Sequence, residues 1–189
     1  MSPTDNYTRA QLLAVFAVML TTAVILAAMG QVLWCACATW VPWSFDTWSS
    51  HNSQHLLDPY SFSHLQHGLV FFGALALVGS RLTMGSKLII AMIIEAAWEI
   101  LENTPMVINR YREATISLDY HGDSVANSVS DLLACWLGFE VARRLPWWGT
   151  VSLFVVVEVV MVLTIKDSLL LNVLMLVYPL DAVLQWQGA

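Results

Sequence analysis

Long apolar runs separated by short polar connections set the pattern of the chain. The run from Gln11 to Cys35 is apolar and rich in small residues, and Trp34, Trp40, Trp43 and Trp48 lie at or beyond its end like an interfacial belt. A polar stretch from His51 to Ser63 contains Asp58-Pro59 and predicts an ordered turn. Ser63 is placed to cap a second span, 64–82. Arg81, Gly85 and Lys87 mark a tight connection to a third span, 88–103, which Pro105 ends. Beyond the polar segment Met106 to Gly122, a fourth span covers 124–141 and a fifth 149–165. Segment 168–187 is open between a sixth crossing and a division at Pro179 into a re-entrant half and an interfacial helix.

Runs of roughly 20 apolar residues cross about 30 Å of hydrocarbon, where only internally hydrogen-bonded structure is stable. The predicted fold class is therefore all-α, a polytopic transmembrane helix bundle of five spans forming one integral membrane domain over residues 1–189. Composition agrees, since 58% of residues are hydrophobic and 12% charged, against roughly 25% charged in a soluble domain. Eight Lys and Arg stand against fourteen Asp and Glu, with no basic tract, which excludes a nucleic-acid partner and a polybasic lipid-binding segment. The expected partners are the lipid bilayer and other membrane-protein subunits. The stretch Leu12 to Cys35 is too long for a signal-peptide core and is expected to remain as a span.

Arg9, Arg81, Lys87, Arg143 and Arg144 fall on one side of this topology and Arg110, Arg112 and Lys166 on the other, so the N-terminus is expected in the cytoplasm. All five histidines then gather at the outer mouth with most of the carboxylates. Glu95, Glu99 and Glu102 recur at i, i+4 and i+7 and share one helical face. That face cannot meet lipid, because a bare carboxylate at bilayer depth costs several kcal/mol. His64 and His67 form a second stripe, and Asp123, Asn127 and Asp131 a third. Gly122 and Ser128 are expected to permit close approach by a neighbour.

Imidazoles and carboxylates on facing helices suit zinc, iron or manganese. No H-E-x-x-H or paired E-x-x-H occurs, so the spacing is not itself diagnostic. His64, His67, Glu99 and Asp131 are the candidate metal ligands, and Glu95 and Asp123 the candidate catalytic acid–base residues. Arg110 and Arg112 are candidate anchors for an anionic substrate, or ion-pair partners of the glutamates. Glu102, Asp119, His121 and Asn127 supply supporting polarity. Asp123 and Asp131 match aspartyl intramembrane peptidases only in residue type and depth. Cys35 and Cys37 are too close in sequence for an easy mutual disulfide, and read as small apolar residues at a helix end rather than as a soft-metal site.

Several motifs occur in order: Asn52-Ser-Gln-His-Leu-Leu-Asp58, Ser63-His-Leu-Gln-His-Gly68, Glu95-Ala-Ala-Trp-Glu-Ile-Leu-Glu-Asn103 and Pro105-Met-Val-Ile-Asn-Arg-Tyr-Arg112. They are followed by Ala114 to Asp131, Leu171-Asn-Val-Leu-Met-Leu176 and Pro179-Leu-Asp-Ala182. From about Trp34 to Gln187 the chain resembles a family of bacterial integral membrane proteins catalogued as the domain of unknown function numbered 2585. Cys35-Ala-Cys-Ala38 departs from the Cys-x-Cys-Gly expected there, which argues against a cysteine-based site. The resemblance implies a bacterial inner-membrane protein and supplies no activity.

The leading expectation is a membrane-embedded, metal-dependent enzyme with its polar site at the periplasmic mouth, hydrolysing a lipid or lipid-linked substrate. The alternative is a non-enzymatic subunit or assembly factor whose polar cluster is structural. A third is a proton or metal-ion conduit, which Glu140 and Glu158 alone would have to continue toward the cytoplasm.

Overall fold

The computed structural model describes residues 6–37, 39–115 and 119–188. Among these residues the fold is all-helical: α1 (Arg9–Ala28), α2 (Ser61–Val78), α3 (Met84–Glu102), α4 (Pro105–Ala114), α5 (Val125–Arg144), α6 (Trp147–Ile165), α7 (Leu169–Val177) and α8 (Asp181–Gly188). Part of the predicted polar segment 106–122 forms α4, and residues 116–118 of it lie outside the described residues.

Local chemistry explains where the helices start and stop. Thr8 and Gln11 form a capping box at the head of α1. Gly30, with φ +95°, ends the same helix, and the N–H groups of Gly30 and Gln31 donate to the carbonyls of Ala27 and Leu26. The helix thus stops at Ala28 rather than at Cys35. α2 begins at Ser61 instead of His64, because Asp58 Oδ1 accepts the N–H groups of Tyr60 and Ser61 at 2.7 and 3.1 Å. Ser63, expected as the cap, lies buried in the first turn. Thr83, Thr104 and Ser124 cap α3, α4 and α5, and Pro105 occupies the first turn of α4. Pro179 separates α7 from α8, so the C-terminal segment is two short helices.

α2 and α5 cross most closely, through two glycines. A Cβ at Gly68 would collide with the backbone of Cys135 and Phe139, and one at Gly138 with the carbonyl of Leu65. Gly122 also permits a close approach, but in the loop before α5 at φ +91°, where a Cβ would collide with the side chains of Gln31 and Asn103. α1 packs on α3 and α5 around Val15, Met19, Leu88, Met92, Leu132 and Phe139.

α1, α2, α3 and α5 alternate in direction, and their ends are tied accordingly. Near one end Tyr7 donates to Glu140 and lies under the Arg143 guanidinium, while Gln11 donates to Thr83. Arg9, Arg81, Lys87 and Arg144 belong to the same end. Near the other, Val125 N–H donates to Val32 O, Ser124 N–H to Ser53 O, and Gln54 to Gly122 O. α1, α2 and α6 are long and apolar enough to cross a membrane. α3 and α5 reach 19 and 20 residues, but the charged groups of the polar mouth and of the basic end interrupt their apolar runs.

Candidate metal centre

The first turns of α2 meet the last turns of α3 and the first turns of α5, which brings the three polar stripes together. His64 Nδ1 stands 2.6 Å from Glu95 Oε1 and 3.2 Å from Glu99 Oε1, and His64 Nε2 is 3.9 Å from Asp131 Oδ2. His67 Nδ1 lies 2.9 and 3.1 Å from the two oxygens of the same Glu95. Its ring stacks on Phe71 and meets Trp98 edge-on. Glu95 and Glu99 are wholly shielded from solvent, and His64 and Asp131 nearly so.

Hydrogen bonding divides these carboxylates into two groups. Glu95 is saturated by the two imidazoles. Asp123 is also well supplied: Asn103 Nδ2 donates to Oδ2 at 2.8 Å and Tyr120 OH to Oδ1 at 2.9 Å. Both oxygens of Glu99, Oε2 of Glu102 and Oδ1 of Asp131 are buried with no hydrogen-bond partner among the described residues. Glu99 Oε1 is within ion-pair distance of His64 but is not aligned for a hydrogen bond. Buried polar atoms are rarely left so, because desolvation without a partner costs about 1–3 kcal/mol and more for a charge.

Arginines do not relieve this. Among the described residues, the ion pairs of the cluster are made by His64 and His67 alone. Arg110 Nε donates to Leu176 O at 2.8 Å, and Arg112 Nε to Tyr120 O at 2.6 Å while its guanidinium touches His121. Asp119 and His121 are exposed, and Asn127 points toward the preceding loop, donating to His55 O at 2.8 Å and to Asp58 Oδ2 at 3.4 Å.

A cavity of about 120 Å³ opens beside the cluster, with His64, His67, Glu102, Asp123 and Asp131 on its polar side and Trp98, Leu169 and Val173 on its apolar side. A wider groove of about 430 Å³ adjoins it and shares Trp98 and Val173. Met106, Leu176 and Val177 line that groove, with Arg110 at its wall. At the mouth, burial pushes the Asp123 carboxyl up to about 6, against the opposing pull of the hydrogen bonds from Asn103 and Tyr120. Burial raises the Tyr111 and Tyr120 phenols too, with the neighbouring carboxylates adding to the effect.

The ligand atoms fall into two overlapping sets, His64 with His67 and Glu95, and His64 with Glu99 and Glu102, the atoms of each lying within 4.8 Å of one another. With His64 Nδ1 against Glu95, a neutral ring would present the Nε2 lone pair to a metal, the arrangement typical of a metal-bound imidazole with a carboxylate behind it. Asp58, Trp98, Asn103 and Tyr120 are site residues that the sequence pattern does not single out. Asn103 was detectable, since it continues the Glu95–Glu99 stripe at i+4; Asp58 read only as part of a turn.

The profile of a family described as "Protein of unknown function (DUF2585)" matches residues 26–189. A UPF0314 protein of Paracoccus denitrificans (strain Pd 1222) is 49% identical over 100% of this chain and 99% of its own length. One of Rhizobium meliloti (strain 1021) is 47% identical over 99% and 96%, and one of Sphingopyxis alaskensis is 46% identical over 88% of both. No solved structure matches the chain. With the profile covering everything from the last turn of α1 onward, and relatives aligned over nearly their whole lengths, the chain belongs to the DUF2585 family.

Proposed function

We propose that the protein is a five-span helical protein of the bacterial inner membrane, its N-terminus cytoplasmic, that binds a divalent transition metal at its periplasmic mouth and hydrolyses a lipid or lipid-linked substrate there. The observation that carries this reading is the set of orphaned, buried carboxylate oxygens on Glu99, Glu102 and Asp131 facing His64. A divalent cation would supply the missing partner where His64, Glu99 and Glu102 bring ligand atoms within 4.8 Å of one another, with Asp131 Oδ2 3.9 Å from the far nitrogen of the same imidazole. Mixed nitrogen and oxygen donors fit zinc, iron or manganese.

In this scheme His64, Glu99, Glu102 and Asp131 hold the metal, and Glu95 orients both imidazoles from behind. A bound metal would supply Lewis acidity and a water of lowered pKa. His67 and Asp123 stand at the cavity wall to exchange a proton with substrate or water. The adjoining apolar groove is shaped for a hydrocarbon chain, and Arg110 in its wall, with Arg112 nearer the loop, offers charge to an anionic head group.

The conduit reading has less support, because Glu140 is occupied by Tyr7, Arg143 and Arg144, and Glu158 by Gln66 and the Leu170 N–H. The accessory-subunit reading draws on the closed Asn103–Asp123–Tyr120 network, which needs no ligand. Elemental analysis of detergent-purified protein carrying Cys35→Ser and Cys37→Ser decides between metal and structure. Near one equivalent of zinc, iron or manganese, lost on Glu99→Gln, is expected. Metal-free protein that stays folded would overturn the reading. Incubation with a total bacterial lipid extract, followed by mass spectrometry, tests the hydrolytic step.

A further inference from the structure

A second set of donors lies in the loop between α1 and α2, in residues the first site does not use. Cys35 and Cys37 approach each other with Cα atoms 5.2 Å apart and their sulfurs joined as a disulfide, a pairing the sequence spacing disfavoured. Two imidazoles close on the same point. Cys35 Sγ lies 3.6 Å from His51 Nδ1, Cys37 Sγ lies 3.9 Å from His55 Nε2, and the two ring nitrogens are 3.2 Å apart. One ligand atom from each of the four residues falls within 4.8 Å of every other.

We infer that Cys35, Cys37, His51 and His55, with the cysteines in their dithiol form, make a structural zinc site that pins this loop over the polar mouth. Two thiolates and two imidazoles on one point are the donor set of a closed tetrahedral zinc site. Thirteen residues, 38–50, separate the second cysteine from the first histidine, and three separate the histidines. That is the C…(x12–15)…H-x3–5-H spacing of zinc-binding loops, with a one-residue cysteine gap in place of two.

Surrounding contacts prepare the donors. His55 is buried, and its Nδ1–H donates to Val41 O at 2.6 Å, which fixes the tautomer and leaves Nε2 with its lone pair toward Cys37. Trp34 packs edge-on against the same ring, and its indole N–H is held by Thr39 O. The Cys37 N–H donates to Cys35 Sγ at 3.2 Å, a contact that favours the thiolate. The structural consequence follows from the neighbours. His55 O accepts from Asn127, Ser53 O accepts from the Ser124 N–H, and Asn52 and Ser53 line the polar cavity. Zinc on these four residues would lock the loop that roofs the cavity. This inference does not depend on metal in the His64 cluster.

The test uses cobalt(II) in place of zinc on the full-length protein, purified in detergent and reduced with a phosphine. Sulfur-to-cobalt charge-transfer absorption reports thiolate ligation, and because the free thiol Cys135 lies beside Glu95 of the other cluster, the band is assigned by its loss in the loop variants. The expected result is a charge-transfer band with tetrahedral d–d absorption, saturating at one equivalent, bleached by zinc, and lost in Cys35→Ser and in His55→Ala. Reduced protein without a thiolate band overturns the proposal, as does a band that survives both substitutions or forms with copper(I) but not zinc. A Cys35–Cys37 disulfide that resists reduction, read by intact mass after thiol alkylation, overturns it as well. Glu99→Gln should leave the band unchanged, so failure of the two sites can be told apart.

Discussion

His64 Nδ1 stands 2.6 Å from Glu95 Oε1, joining α2 to α3 where both helices border the polar cavity. The contact sets Nδ1 against Glu95 and turns Nε2 toward Asp131. Glu95 also receives His67, so a single carboxylate sets the orientation of two rings. Substituting it should therefore disturb the site without removing a direct ligand. Glu95→Gln is expected to weaken metal binding by about 10- to 100-fold, the usual cost of losing an outer-shell partner. Competition titration with a chelating dye measures it. Unchanged affinity would show that Glu95 does not position the rings.

Glu99→Gln and Asp131→Asn keep volume and hydrogen-bonding capacity while removing charge from carboxylates of which both Glu99 oxygens and Asp131 Oδ1 lack partners. Both variants should insert and purify like the parent, lose bound metal, and match or exceed the metal-free parent in thermal stability. If the carboxylates serve as structural ion-pair partners, stability should instead fall by about 3–5 kcal/mol. Thermal unfolding in detergent, with and without chelator, separates the two.

Asp123 gives the protein a pH dependence of defined sign. Its carboxyl is pushed by burial from an ordinary value of 3.8 to about 6. Between those values the folded protein keeps a proton that the unfolded chain has lost, so stability falls as pH rises through this window. The destabilisation is complete above about 6 and absent below about 4. Asp123→Asn removes this dependence. Its melting temperature relative to the parent should rise between pH 4.5 and pH 7.5; a relative change in the opposite direction would contradict the assignment.

Gly68 and Gly138 let α2 and α5 cross with almost no space between their backbones. A methyl group at either position meets backbone atoms rather than a flexible side chain, so the helices must separate. Gly138→Ala should cost about 1–3 kcal/mol, the usual range for an overpacked contact. The same shift moves His64 relative to Asp131 and should lower metal occupancy along with the melting temperature.

Topology can be read from exposed loop positions at opposite ends of the bundle. In protein without Cys35 and Cys37, a cysteine at Ser50 should react with a membrane-impermeant reagent on intact spheroplasts, and one at Ser80 only after lysis. The reverse pattern would invert the proposed orientation.

Helical content and the polar stripes were legible in the sequence because both depend on local chemistry. Runs of apolar residues and caps such as Thr83 and Ser124 specify helices, and the 3.6-residue period places Glu95, Glu99 and Glu102 on one face however the helices later pack. Pro105 and Pro179 mark breaks by the same local logic. What the sequence could not set was the rotation of one helix against another, which depends on contacts far apart in the chain. Only packing, through Gly68 and Gly138, brought His64 to Asp131. Only the packing of α4 carried Arg110 and Arg112 to backbone carbonyls instead of the glutamates. The same holds for Cys35, Cys37, His51 and His55, which lie in irregular backbone with no repeating period to reveal a shared face, so their meeting was decided by tertiary structure alone.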